Sequence, residues 1–222
     1  MKKGNSSNIP FEKREVEEYE RKRYRGIDQR LVHGREGRLL RNILRKIGDG
    51  PLLVLDIPCG YGRFSNILLD KDFSLVSSDL SFHMVKRASE KGGQPHSRFF
   101  SGVVADAKQG LPFKKGAFSL LLSMRFFHHV HEKVEREFIL KEFSRATSGW
   151  MILSYYQKNS LHILQRKLRR KIKSSRTRIK MIPRKEFYKE VEGAGLRVVK
   201  ISPLFGGIHA HHIALLKKMG SN

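Results

Sequence analysis

Three carboxylates stand at the ends of apolar runs, and two glycines follow the first of them: Asp56 with Gly60 and Gly62, then Asp79, then Asp106. Asp79 lies 79 − 56 = 23 residues beyond Asp56. A carboxylate at a strand tip can accept both hydroxyls of a ribose, and a glycine turn lets backbone approach a ligand that a Cβ would hold off. Asp56 sits just before the glycines, a poor place beside a pyrophosphate and a good one beside an ammonium group. The expected chemistry is recognition of a nucleoside that carries positive charge. The match of Gly60-Tyr61-Gly62-Arg63-Phe64-Ser65 to G-x-G-x-x-G/A is weak by itself. After a later apolar run come Arg125, His128 and His129. Two imidazoles can move a proton near neutral pH, and a guanidinium can hold an anion.

These groups need a scaffold that brings strand ends together. Leu52-Leu53-Val54-Leu55 reads as a strand buried on both faces, and Phe64, Ile67 and Leu68 as a helix after the turn. Phe73 to Asp79 reads as the second strand, and Ser81 as the N-cap of the helix after it. Phe99 to Asp106 is expected as the third strand and Phe118 to Met124 as the fourth, central and buried. The spacing predicts a helix over about 132–147 that buries Val134, Phe138 and Phe143. Trp150 to Tyr156 reads as the fifth strand. Pro183 should start a helix that packs Phe187, Tyr188 and Val191 and stops at Gly193-Ala194-Gly195. Leu196 to Ile201 and His212 to Leu216 read as strands six and seven, the last antiparallel after a turn at Gly206-Gly207. Upstream, residues 1–10 carry turn-formers. Residues 11–47 are charged and helix-prone, with Leu39, Leu40, Ile43, Leu44 and Ile47 at helical spacing. Gly48 to Pro51 ends that helix.

Asp56-Ile-Pro-Cys-Gly60-Tyr-Gly62 resembles motif I of the class I S-adenosylmethionine (SAM) methyltransferases, D/E-x-G-x-G-x-G, with Pro58 in place of the first glycine. Asp79-Leu80-Ser81-x-x-Met84 resembles the following motif. Asp106-Ala107 with Leu111-Pro112-Phe113 resembles the adenine-binding D-A-x-x-L-P-F of small-molecule methyltransferases, with one residue more than the usual spacing. The overall likeness is to the quinone-biosynthesis kind. The short-chain dehydrogenase Tyr-x-x-x-Lys pair is missing, and so is the Asn/Asp-Pro-Pro-Tyr/Phe tetrad of many base-amine methyltransferases. The resemblance implies an α/β fold: a Rossmann-like seven-stranded sheet of order 3-2-1-4-5-7-6, with strand 7 antiparallel and helices on both faces. It implies S-adenosyl-L-methionine as cofactor, bound by Asp56, Pro58, Cys59, Gly60, Gly62, Asp79, Leu80, Asp106, Ala107 and Met124. Catalytic candidates are His128, His129 and Arg125. Tyr24, Tyr155 and Tyr156 are expected at the acceptor, with Tyr24 on an N-terminal helix lying over the site or on the surface.

The chain has 222 residues, enough for one domain with a full core, and no apolar run approaches a membrane span. Residues 1–222 are expected to form a single domain with a helical extension over 1–50 and a basic amphipathic insertion over 158–185. The single cysteine, Cys59, excludes an internal disulfide; with no apolar signal region, it points to a cytoplasmic protein. Cys59 reads as a small packed residue, since no base stands beside it. His209, His211 and His212 lack the further ligands that zinc wants, so no metal is expected. Lys+Arg is 45 against Asp+Glu 21, a net charge of +24 that favours polyanionic partners. The segment Lys158 to Lys185 carries no acid, and Leu161, Leu164, Leu168 and Ile172 line one side of it. It reads as an RNA clamp, an interfacial helix on an anionic membrane, or a lid. It lacks the aromatic interleaving of a single-strand RNA binder. The function expected is methyl transfer to a small or lipid-linked acceptor. RNA methylation is the first alternative. A non-catalytic basic binding module is the second, and the intact carboxylates speak against it.

Overall fold

The computed structural model describes residues 12, 14–16, 18, 20, 27–48, 52–71, 73–92, 100–158, 179–206 and 210–220. Seven strands form one sheet: β1 (Leu53–Asp56), β2 (Ser74–Asp79), β3 (Phe100–Val104), β4 (Phe118–Ser123), β5 (Thr147–Tyr156), β6 (Leu196–Pro203) and β7 (His211–Lys218). Their order is β3-β2-β1-β4-β5-β7-β6. Strands β1 to β5 pair in parallel, and β7 runs antiparallel to both β5 and β6. The expected Rossmann-like topology is therefore present. Among the described residues, the helices beside the sheet include α1 (Ile27–Ile47), α2 (Ser65–Leu69), α3 (Phe82–Gly92), α4 (Lys133–Ala146) and α5 (Arg184–Gly193).

Parallel strands covered on both faces must be apolar throughout, and here alternate residues feed two separate cores. On one face Leu55, Leu121, Met151, Leu153 and Leu216 meet Ile139, Leu140 and Phe143 of α4 and Phe187 and Val191 of α5. On the other, Val54, Leu75, Leu120, Ile152 and Leu215 meet Leu40, Ile43 and Leu44 of α1 and Ile67 and Leu68 of α2. Each such side chain contributes about 1.5–3 kcal/mol on full burial. The sheet order reverses between β1 and β4, which lie side by side and lead outward to β2 and β5 respectively. Their carboxyl ends open a crevice there, as open α/β sheets require at such a switch point.

Several expectations need correction. Val134 and Phe138 are exposed at 78% and 43%, because the inward stripe of α4 runs through Ile139, Leu140 and Phe143. Thr147 belongs to β5 and not to the helix: its hydroxyl donates to the Phe118 carbonyl at 3.1 Å and holds the first turnless residue of the strand in register. The third strand stops at Val104, short of Asp106. At the far end of the basic segment the helix expected to start at Pro183 is present. Ile182 is fully buried and bridges to Gln157, and Arg184 already opens α5 behind its N-cap, Pro183. Residues 159–178, most of that segment with its apolar side, lie outside the described residues, as do Tyr24 and His209.

Candidate active site

The glycine loop is shaped by two left-handed residues, Gly60 at φ 53° and Gly62 at φ 75°. They have different reasons to be glycine. A Cβ on Gly62 would stand 2.9 Å from the Ala88 Cα, so this residue lets α3 pack against the loop. A Cβ on Gly60 would meet nothing within 4 Å; it would project into space a ligand can use. The Gly60 N–H donates to Oδ2 of Asp79 at 3.0 Å, and the Ser81 N–H donates to Oδ1 at 3.0 Å. The tip of β2 is thus tied to the loop after β1. Ser81 also caps α3, its hydroxyl accepting from the Met84 N–H at 3.4 Å.

Between these elements lies a cleft of about 200 Å³. Pro58, Cys59, Gly60, Tyr61, Arg63 and Phe64 of the loop line it, with Asp79 and Met84 beside them. Met124, Arg125, Phe126 and His129, just past β4, close the other end. Asp56 lies underneath: it is 1% exposed, and its Oδ2 has no hydrogen-bond partner among the described residues. Burial, with the nearby charge of Asp79 adding to it, pushes the Asp56 carboxyl well above the usual carboxylate range. Burial also raises Asp79, against the loop N–H groups that pull it down. Two buried carboxyls, both raised above the ordinary carboxylate value, are suited to a cationic ligand, whose charge would favour their ionised forms. The Cys59 thiol is pushed up by burial and by the same two acids and donates to the Gly60 carbonyl, so it is a packed wall residue and no thiolate.

Of the other expected cofactor residues, Leu80 contributes backbone beside Asp79 and does not line the cleft. Nor does Asp106: its carboxylate accepts from the Lys108 N–H at 2.9 Å and the Gln109 amide at 3.2 Å within its own turn. Ala107 is buried in the core under α4. That turn is braced by Glu142, which accepts from the Leu111 N–H, and by Arg145, which donates to the Leu111 and Phe113 carbonyls.

The two histidines part company. His129 is exposed on the cleft wall, whereas His128 is 7% exposed and packs 4.8 Å from the Tyr156 ring. Tyr155 does not line the cleft. Strand alternation turns it into the opposite core, where it stacks on Phe187 with centroids 3.8 Å apart. Tyr156 points to the site side and stacks on His211. It reaches the cleft wall through the histidine pair.

Arg125 has φ 59°, a costly conformation for a residue with a side chain. Its N–H donates to the Ser154 hydroxyl at 2.6 Å, and its Nε donates to Oε1 of Glu36 at 2.8 Å. Glu36, from α1, is fully buried; its Oε2 accepts from Arg63 at 3.0 Å, and His211 Nδ1 stands 3.5 Å from Oε1. Arg63 Nε also donates to His33 Nδ1 at 2.9 Å. Burial first, and then the charges of Arg63, Arg125 and Arg41, lower His33 to about 4. Sequence reading missed Glu36, His33 and Arg63. The only available signal was a Glu one turn from the apolar stripe of α1, within a helix otherwise rich in exposed charge.

Residues 55–152 match a methyltransferase domain family. Among curated relatives, a probable 18S rRNA (guanine-N(7))-methyltransferase of Dictyostelium discoideum is 28% identical over 122 residues, covering 50% of this chain and 41% of that protein. A tRNA (carboxymethyluridine(34)-5-O)-methyltransferase of Xenopus tropicalis is 28% identical over 121 residues, covering 51% of this chain and 18% of that one. The chain thus spans less than half the length of these relatives. Among solved structures, magnesium protoporphyrin IX methyltransferase from Synechocystis PCC 6803 with bound S-adenosylhomocysteine (SAH) superposes with TM-score 0.75 at 16% identity, covering 91% of this chain and 93% of that one. The same enzyme with bound SAM gives 0.70 at 15% identity, over 90% and 91%. With a glycine loop, an acid at the tip of β2 and this sheet order around them, residues 55–152 are a methyltransferase domain.

Proposed function

We propose that this chain binds SAM in the cleft between the glycine loop and the tip of β4, and methylates a small or lipid-linked acceptor presented at the Arg125–His129 end. The single observation behind this is the layout of the cleft: Asp79 and Gly60 at one end, Arg125, Phe126 and His129 at the other. When bound, the cofactor supplies an electrophilic methyl group. Asp79 accepts ribose hydroxyls while its ties to Gly60 and Ser81 keep it in place. Met124 and Phe126 exclude water from the line of transfer. His129 takes the proton of an oxygen or nitrogen acceptor; it is the one of the two histidines that reaches the cleft. His128, Tyr156 and Ser154 hold the strand end that presents it. Asp79→Ala should weaken SAM by about 1–3 kcal/mol, the cost of leaving buried hydroxyls without their acceptor. Calorimetry checks this, and unchanged affinity would count against the assignment.

RNA remains the second reading, on two observations: the net charge of +24, and RNA methyltransferases among the relatives. The basic segment is rooted beside the acceptor end, since the Lys180 N–H donates to the His128 carbonyl at 3.0 Å and the Ile182 N–H to the Tyr156 carbonyl at 2.8 Å. Labelled SAM incubated with the protein and fractionated cell extract separates the readings: label in small molecules or lipid supports the first, and label in RNA supports the second. Label in no fraction, with SAM bound, would favour a binding module.

A further inference from the structure

The outward face of α1 carries a row of like charge. Arg30, Gly34, Arg38, Arg41 and Arg45 are all exposed. At helical spacing they fall within about 80° of the circumference and about 22 Å of the length. The opposite face is spent on the core through Leu40, Ile43 and Leu44, so the row is held outward. Like charges one turn apart repel and weaken the helix that carries them. Elsewhere such charge is answered: Arg87, Arg136 and Arg145 each hold a carboxylate. Arg38, Arg41 and Arg45 hold none among the described residues, and Arg45 donates to the Asn42 amide oxygen at 2.8 Å. Glu36 of the same helix is buried.

Gly34 lies within the row. A glycine inside a helix weakens it, and packing does not require this one, since a Cβ there would meet nothing within 4 Å. It leaves a notch where a ligand can approach the helix backbone. The notch borders the cleft, because His33, next to Gly34, accepts from the cleft-wall residue Arg63.

We propose that this row is a docking surface for an RNA strand, with its guanidiniums on the phosphates and the strand seated over Gly34. This deepens the RNA reading above and rests on it. Guanidinium forks match phosphate oxygens. A bilayer is the poorer partner: an interfacial helix must offer an apolar face to lipid, and that of α1 is already buried against the sheet.

The test is fluorescence anisotropy of a labelled 20-nucleotide single-stranded RNA over a salt series. It compares the wild type, Arg38→Gln/Arg41→Gln/Arg45→Gln, Gly34→Leu, and a control that removes equal charge near the amino ends of β4 and β6, Lys114→Gln/Lys115→Gln/Arg197→Gln. Melting curves confirm that each is folded. The arginine variant should bind about tenfold or more weakly and lower the salt slope by about 2, while the control stays near the wild type. Gly34→Leu should weaken binding at unchanged net charge. Equal losses in the two triple variants, or wild-type affinity in Gly34→Leu, overturn the surface and leave the RNA reading standing. A wild type that binds no RNA, or binds only vesicles one-third phosphatidylserine, overturns both. If Gly34→Leu fails to fold, the two triple variants carry the test.

Discussion

Arg136 and Glu36 are both wholly buried, and each is the centre of an ion cluster that ties helices to the rest of the chain. Arg136 of α4 meets two carboxylates of α5, Glu190 at 2.5 Å and Glu186 at 2.7 Å, and donates to the His131 carbonyl as well. Its donors are spent on α5 and on the turn before α4, and none of these residues lines the cleft described above. Glu36 meets two arginines whose other faces line a cavity. The same two residue types thus serve as a staple in one place and as a ligand-facing support in the other. What differs is which partner sits at the centre. A central arginine with acids around it is enclosed. A central acid with arginines around it turns the longer, donor-rich side chains outward.

The sharpest way to break the comparison is to remove each centre. Arg136→Ala should cost about 3–5 kcal/mol, since it strands the Glu190 carboxylate inside the protein. Chemical denaturation measures this, and the variant, where folded, should bind SAM as the wild type does. Glu36→Gln should cost less in stability, about 1–3 kcal/mol, because an amide still accepts from one arginine. Unlike the first change it should weaken SAH binding, as the two arginines lose their fixed positions. If both variants lose ligand in proportion to stability, the distinction between staple and support fails.

The glycines sharpen the same contrast within one loop. Gly62→Ala should destabilise by about 1–3 kcal/mol, through its contact with the α3 backbone and its left-handed φ. Gly60→Ala has open space around its Cβ and should cost only the backbone strain, about 1–2 kcal/mol. Its larger effect should be on SAM affinity, because that space is in the cleft. Parallel melting and binding curves decide it.

The smallest effect is the pH dependence that the Glu36 cluster should show. His33 titrates near 4 in the folded protein against 6.5 ordinarily, so between those values the unfolded chain holds a proton that the folded chain does not. Its contribution to stability is therefore complete above pH 6.5 and declines as pH falls toward 4. His33→Gln should flatten this part of the stability profile, whereas Glu190 of the Arg136 cluster, raised chiefly by burial, should act with the opposite sign and favour the folded state as pH falls. Denaturation midpoints at pH 4.5 and 7 compare the two.

The strands and the glycine loop were legible because their signals are local. An apolar run of four to seven residues followed by an acid or a glycine turn means nearly the same thing wherever it occurs, and Asp79 stood where such a run ended. The strand order came from resemblance, since no periodicity specifies which strand lies beside which. Helix faces were harder. In α4, Val134 and Phe138 lie one turn apart and read as a core stripe, yet the helix is rotated so that Ile139, Leu140 and Phe143 face the sheet. Tyr155 and Tyr156 are adjacent, so one of them had to face away from the site, and only the register of β5 with β7 decides which. Glu36 was not legible at all. In a helix that carries Arg30, Arg35, Arg38 and Arg41, a glutamate reads as one more solvated charge. Its role depends on Arg63 and Arg125, 27 and 89 residues away.

One contact near the start of the chain has a consequence for how the site empties. Val16 is 2% exposed because it rests on Tyr61 and Met84, and both of those side chains line the cleft. Glu20, in the same helical stretch, pairs with Arg87 at 2.9 Å and with Lys91. A wall shared in this way does not move alone: a ligand that shifts Tyr61 or Met84 must also shift Val16, against two ion pairs on α3. Loosening of the N-terminal stretch is therefore expected to shorten the residence of bound SAH, and salt, which weakens exposed ion pairs, is expected to act in the same direction.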